Sequence, residues 1–247
     1  MPDAKSAPDL NTALDLDPAY AANMAAVLRD CGFAGLGTVL DFGCARGQWA
    51  SALSGLCGQV IGVDISPVSL QRARAAFAAA GAGNATFHDL GETALESLPP
   101  LDGITCMDVL PLMAGRDIHA LFRFARDRLD RGRPFLCSTR NPRLFLDWLM
   151  TGERFRYEGL GGGLRKYAGL ATHVLRALAR TPIADEPRAR YLVLPGTLMA
   201  LAGDYGFRVA RGPAAMAGLD SLRAIEPVYA GPGRHFVHLD WYLLERT

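Results

Sequence analysis

Lysine is nearly missing from this chain: among 247 residues it occurs only at Lys5 and Lys166. Arginine carries almost all the positive charge, and 26 basic side chains stand against 25 acidic ones, for a formal net charge of +1. That balance excludes bulk attraction to nucleic acid or to anionic lipid. The longest uncharged stretch, residues 47–63, is interrupted by Gly, Ser and Gln, so no membrane-spanning helix is expected. The N-terminus carries Asp3, Asp9, Asp15 and Asp17 and no basic segment ahead of an apolar one. A secretory signal is therefore not expected, and a cytoplasmic location is. Cysteine is present at 31, 44, 57, 106 and 137, but no Cys-x-x-Cys pair occurs. This argues against a disulfide framework and against a zinc site, and no metal is expected. No internal repeat or low-complexity tract is found.

What is present is half hydrophobic by count, enough to fill the core of a single α/β domain. The most telling stretch is Val39-Leu40-Asp41-Phe42-Gly43-Cys44-Ala45-Arg46-Gly47, an apolar run that ends in an acid and a glycine turn. A second apolar run, Val60-Ile61-Gly62-Val63, ends at Asp64, 21 residues beyond Gly43. This pattern predicts two parallel strands joined by a helix, with a ligand across their carboxyl ends. Gly43 and Gly47 suit positive φ and close backbone approach. Asp64 stands where an acid accepts from both hydroxyls of a ribose. An adenosine-bearing cofactor is the first inference.

Asp41 narrows the choice. A dinucleotide brings its pyrophosphate to the N-terminus of the first helix, where amide donors and the helix dipole favour negative charge. A carboxylate at the tip of the first strand would repel that group and suit a cation. The dinucleotide fingerprint would also place small residues at 45 and 48, and position 48 is Gln. A nicotinamide-dependent oxidoreductase is thus the weaker alternative.

The Asp41-x-Gly43-x-Ala45-x-Gly47 pattern resembles motif I of the class I S-adenosylmethionine-dependent methyltransferases, in particular the small-molecule, quinone-biosynthesis-like group. Four further segments resemble that family in order: Val63–Ser66 its second strand end, Phe87–Leu90 its third, Ile104–Leu110 its fourth strand and Gly132–Thr139 its fifth. Tyr205–Val209 and His235–Leu239 resemble its two C-terminal strands, and the likeness covers roughly residues 38–140 and 195–245. It implies a Rossmann-like, doubly wound, seven-stranded sheet, mostly parallel, whose last strand runs antiparallel.

The resemblance also implies roles. S-adenosylmethionine would be the cofactor. Asp41 would favour its cationic amino-acid end, directly or through water. Gly43, Cys44, Ala45 and Gly47 would supply close backbone, with Cys44 a small lining residue. Asp64 would hold the ribose and Ile65 lie against the adenine. Asp89 and Leu90 would take the adenine amino group and ring, and Met107 would offer backbone near the methionine portion. For Asp64 and Asp89 the alternative is a strand-end cap. Non-catalytic cofactor binding also stays open.

Departures from the family pattern matter for the acceptor. Ala45 stands where the family has a glycine. At the fourth strand end, Asp108-Val109-Leu110-Pro111-Leu112 replaces the acid and His of the family's Asp-Val-Leu-Glu-His, so that motif supplies no base. The remaining base candidates are His119, His173, His235, His238, Asp108 and Tyr191, and none is assigned a catalytic role. His119 is expected to be solvated. Base-methylating enzymes carry Asp/Asn-Pro-Pro-Tyr/Phe at this position, so a nucleic-acid acceptor is disfavoured. A small-molecule acceptor, apolar or carrier-bound, is favoured.

Residues 1–16 are expected to form a mobile tail, and a helix from Asp17-Pro18 to about Cys31 to stop at Gly32. Residues 141–194 break the family pattern with two helical stretches around a glycine hinge. From Arg140 to Arg190 there are ten basic residues and five acidic ones. The functional reading is a substrate lid beside the reacting methyl; the alternative is a helical pair on the edge of the core.

Overall fold

In the computed structural model, residues 13–16, 18–140, 195–221 and 239–247 are described. The expected lid (141–194), the helix cap Asp17, and the base candidates His173, Tyr191, His235 and His238 lie outside the described residues.

The alternation expected from residue 38 onward is what folds. β1 (Thr38–Phe42) leads to α2 (Gln48–Ser54), β2 (Gln59–Asp64), α3 (Pro67–Ala79), β3 (Ala85–Asp89), β4 (Gly103–Cys106), α4 (Gly115–Arg128) and β5 (Pro134–Arg140). A helix α1 (Pro18–Asp30) precedes them; α5 (Pro195–Asp204), β6 (Phe207–Arg211), the short α6 (Pro213–Met216) and β7 (Leu239–Arg246) follow. The seven strands form one sheet in the order β3-β2-β1-β4-β5-β7-β6. β1 to β5 pair in parallel, and β7 runs antiparallel to both β5 and β6. The chain winds from β1 outward through β2 and β3, then returns to the other flank with β4. The switch point therefore lies between β1 and β4, where open α/β sheets bind ligands outside the carboxyl ends of their strands.

Each strand is apolar on both faces, as helices on both sides require. On one face Leu40, Ile104, Phe135 and Leu244 pack with Ile118 and Phe122 of α4 and Leu198 and Leu201 of α5. On the other, Val39, Val60, Leu136 and Leu243 pack with Met24 and Leu28 of α1, Leu53 of α2 and Phe77 of α3. Local signals act as expected at several ends. Ser66 caps α3 by accepting from Ser69 N, with Pro67 in the first turn. Gly32 ends α1 at φ +81°, with Phe33 N donating to Leu28 O.

Leu14, within the stretch expected as a tail, is buried in the cluster on the α1 side of the sheet. The last strand is described over Leu239–Arg246, and the His235–His238 part of the expected strand lies outside the described residues. β7 lies between β5 and β6 and is buried on both faces over Asp240–Leu244, which calls for a continuous apolar run and not an alternating one. β4 is shorter than the expected Ile104–Leu110: it stops at Cys106, and Leu110–Leu112 forms a single 3-10 turn.

Candidate functional site

The turn after β1 is shaped by its glycines, but their nearest neighbours belong to the protein. Gly43 has φ +75°, and a Cβ there would lie 2.2 Å from Val109 Cγ2. Gly47 has φ +88°, and its missing Cβ is replaced by the edge-to-face pair Phe77 and Phe87, whose ring centroids are 4.9 Å apart. Gly62 on β2 leaves room for Phe87 and for the Cys44 thiol. Cys44 is buried, and burial pushes its thiol well above the usual range, so it packs and does not react. All five cysteines are buried and unpaired. Ala45 is exposed at φ +47°, a left-handed conformation its methyl disfavours.

Asp64 stitches this turn to the next one. Its Oδ2 accepts from Ala45 N and its Oδ1 from Ser66 N, each at 2.8 Å. Leu90 N reaches back to Asp64 O, so the ends of β2 and β3 move as one. Asp89 acts locally in the same way, its Oδ1 accepting from Gly91 N at 2.7 Å. Both acids therefore cap their strand ends. A carboxylate has about four acceptor positions, so each keeps capacity for a ligand. Ile65, next to Asp64, is 80% exposed, while Leu90 is half-buried and Met107 is buried at the end of β4.

Asp41 is the outlier. It is 2% exposed and lies opposite Thr105 in the β1–β4 register. Thr105 donates its hydroxyl to Asp41 Oδ1 at 2.8 Å. Oδ2 is buried without a hydrogen-bond partner. Burial pushes the carboxyl up to about 7; the Thr105 hydroxyl and the Ala50 amide of α2 oppose that, and the nearby Asp64 adds to it. A buried acceptor without a donor is costly, and in native proteins it marks a place for water or a ligand.

At the far side of the switch point, Asp108 adopts φ +57°, and its N–H donates to Ser138 Oγ of β5 at 2.7 Å. His119, expected in solvent, is half-buried and lies 3.0 Å from Tyr205 Oη through Nδ1. Tyr205 follows α5, an element far along the chain, which is why the sequence around His119 did not show it.

Asp41, Gly43, Cys44, Ala45, Gly47, Asp64, Ile65, Asp89, Leu90 and Met107 thus sit at the carboxyl ends of β1 to β4 or in the turns that follow them. Sequence reasoning missed Thr105, Val109, Phe87 and Ser138. Strand pairing brings Thr105 against Asp41 and Phe87 beside Gly62, and nothing local marks either. Among the described residues no group of His, Cys, Asp and Glu is arranged to hold a metal ion.

The family model described as a methyltransferase domain matches residues 39–132. Among solved structures, magnesium protoporphyrin IX methyltransferase from Synechocystis PCC 6803 with bound SAH is similar at a TM-score of 0.56 and 21% identity, over 92% of this chain and 82% of that one. The CcbJ methyltransferase from Streptomyces caelestis is similar at a TM-score of 0.57 and 14% identity, over 95% and 98%. No curated protein matches the sequence. Residues 39–132 are thus similar to a methyltransferase domain, and the chain has the Rossmann-like fold of these solved methyltransferases.

Proposed function

We propose that this chain transfers a methyl group from S-adenosylmethionine to a small-molecule acceptor. The observation that carries the reading is the buried Asp41 carboxylate with its partnerless Oδ2 at the switch point. The same carboxylate disfavours a pyrophosphate there, and with it the nicotinamide alternative. Neighbours of this fold have been solved with SAH or SAM, which supports the same cofactor here.

The residues present fit that cofactor. Asp41 Oδ2 takes the cationic amino-acid end, directly or through a water. Asp64 is held rigid by two backbone amides and offers its free lone pairs to the ribose hydroxyls. Ile65 stands out of the surface as an apolar cover for the adenine. Asp89 and Leu90 face its amino group and ring, and Met107 offers backbone beside the methionine portion. Gly43, Cys44, Ala45 and Gly47 provide the close backbone of the turn.

The bound sulfonium supplies a methyl group already activated toward in-line displacement. The chain's own work is to hold an acceptor close to that methyl and aligned with it, a contribution of about 7–11 kcal/mol where alignment is good. The short turn Leu110–Leu112 and the end of β5 border the place where an acceptor must lie. Pro111 and Leu112 bring no acid or base there, and His119 is committed to Tyr205. The near-neutral charge and the exposed Leu112 favour a small, largely apolar acceptor over nucleic acid. Among the described residues no helix is long and apolar enough to cross a membrane. Five buried free thiols fit a reducing, cytoplasmic setting.

Titration calorimetry and thermal shift test the reading. S-adenosylmethionine and S-adenosylhomocysteine should raise the melting temperature, and NAD(P) should not. Asp64→Ala should weaken S-adenosylhomocysteine binding by about tenfold or more, since charge-assisted bonds contribute about 1.5–3 kcal/mol each. Stabilisation by NAD(P) alone, or unchanged affinity in Asp64→Ala, would refute it.

A further inference from the structure

Three buried side-chain atoms among the described residues lack a hydrogen-bond partner: Asp41 Oδ2, Thr139 Oγ1 and Tyr242 Oη. The cofactor reading accounts for the first. The other two lie together. Thr139 on β5 is the register partner of Asp240 on β7, and Cys137 is the partner of Tyr242. Side chains alternate along a strand, so Thr139, Asp240 and Tyr242 share one face. It is the face on which Cys137 and Tyr242 pack with Ile118, Phe122 and Leu198. Thr139 lies two residues past the last β4–β5 pair, Cys106 with Cys137, and so at the level of Asp108. Ser138, its neighbour, holds the Asp108 amide. The cluster therefore borders the crevice on the β5 side, across the switch point from Asp41.

We propose that Thr139 and Tyr242 form the polar floor of the methyl-acceptor subsite and take a hydroxyl of an otherwise apolar acceptor. This rests on the methyltransferase reading and adds the acceptor's chemistry to it. Thr139 and Tyr242 are fully buried, and each hydroxyl is both donor and acceptor. The two hydroxyls lie within reach of each other, and a bond between them would still leave one O–H and further acceptor positions without a partner. Burial pushes the Tyr242 phenol up, with Asp240 adding to the effect and the Thr139 hydroxyl opposing it. The phenol thus stays protonated and remains a donor. Cys137, the register partner of Tyr242, belongs to an apolar cluster with Leu110 on this face, which suits a hydrocarbon body.

The test uses the full chain loaded with S-adenosylhomocysteine, with phenol and toluene as a matched pair of probes titrated by NMR. The loaded wild-type protein should bind phenol about tenfold more tightly than toluene, the worth of one well-placed hydrogen bond in a buried site. Tyr242→Phe and Thr139→Val should each bring the ratio close to one, with toluene and S-adenosylhomocysteine affinities unchanged. Equal affinity for the two probes in the wild type would overturn the proposal. So would a preference that survives both substitutions, above all if Tyr242→Phe raises the melting temperature, which marks the pair as the site of a structural water. Failure of S-adenosylhomocysteine to bind the wild type would instead overturn the methyltransferase reading on which the subsite depends.

Discussion

S-adenosylhomocysteine should bind this chain more tightly as the pH rises through 7, and Asp41→Asn should remove that dependence. Burial holds the Asp41 carboxyl at about 7, against an ordinary value of 3.8. The amino-acid end of the cofactor is cationic and prefers the ionised carboxylate. With a midpoint near 7, about one molecule in ten carries that carboxylate at pH 6 and about nine in ten at pH 8. The affinity should therefore rise about tenfold between the two, or about 1.4 kcal/mol. Near pH 7 binding should release about half a proton, seen in calorimetry as a heat that changes with the ionisation enthalpy of the buffer.

The sign for folding is opposite. The native state keeps its proton up to about 7, whereas the unfolded chain loses it near 3.8. Between those values the native state binds more protons, so stability falls as the pH rises and levels off above 7. The full window corresponds to at most about 4 kcal/mol, less whatever relaxation recovers. Asp41→Asn should flatten this slope and lower cofactor affinity at pH 8. Any titration of the ligand's own groups appears equally in the variant and is subtracted. A buffer-independent heat at pH 7, or the same pH profile in Asp41→Asn, would refute the assignment of Oδ2 to the cationic end.

Two further outcomes concern the turn. Ala45→Gly should raise stability by about 0.5–1 kcal/mol, because relief of a left-handed alanine outweighs the added freedom of the unfolded chain; in a chain this size that is a rise of about 2–4 °C per kcal/mol in scanning calorimetry. A lower melting temperature would contradict the φ of +47°. Gly43→Ala should destabilise by about 2–4 kcal/mol in chemical denaturation, from positive φ and the 2.2 Å approach to Val109 together. Adding Val109→Ala should restore the steric part and leave the backbone part, about 1–2 kcal/mol.

Much of the cofactor side was legible from short stretches. Asp41 lies one residue before the end of β1, and Asp64 and Asp89 end β2 and β3. Ser66-Pro67 and Gly32 behave as local helix signals should. The reading that glycine meant ligand approach was incomplete, because Val109 and Phe87 fill the space above Gly43, Gly47 and Gly62. The strand described at Leu239–Arg246 is buried on both faces over Asp240–Leu244, as its place between β5 and β6 requires.

Turn chemistry and apolar periodicity involve residues a few positions apart, so the chain alone specified the glycine turn after β1 and the α/β class. Packing across the sheet involves residues far apart, and it alone placed Thr105 against Asp41, Tyr205 on His119 and the Thr139–Tyr242 pair beside the crevice. Burial in that packed interior is also what moved the Asp41 carboxyl toward neutrality. Its charge was written in the sequence, but the free energy of that charge depends on how completely the fold excludes water from it.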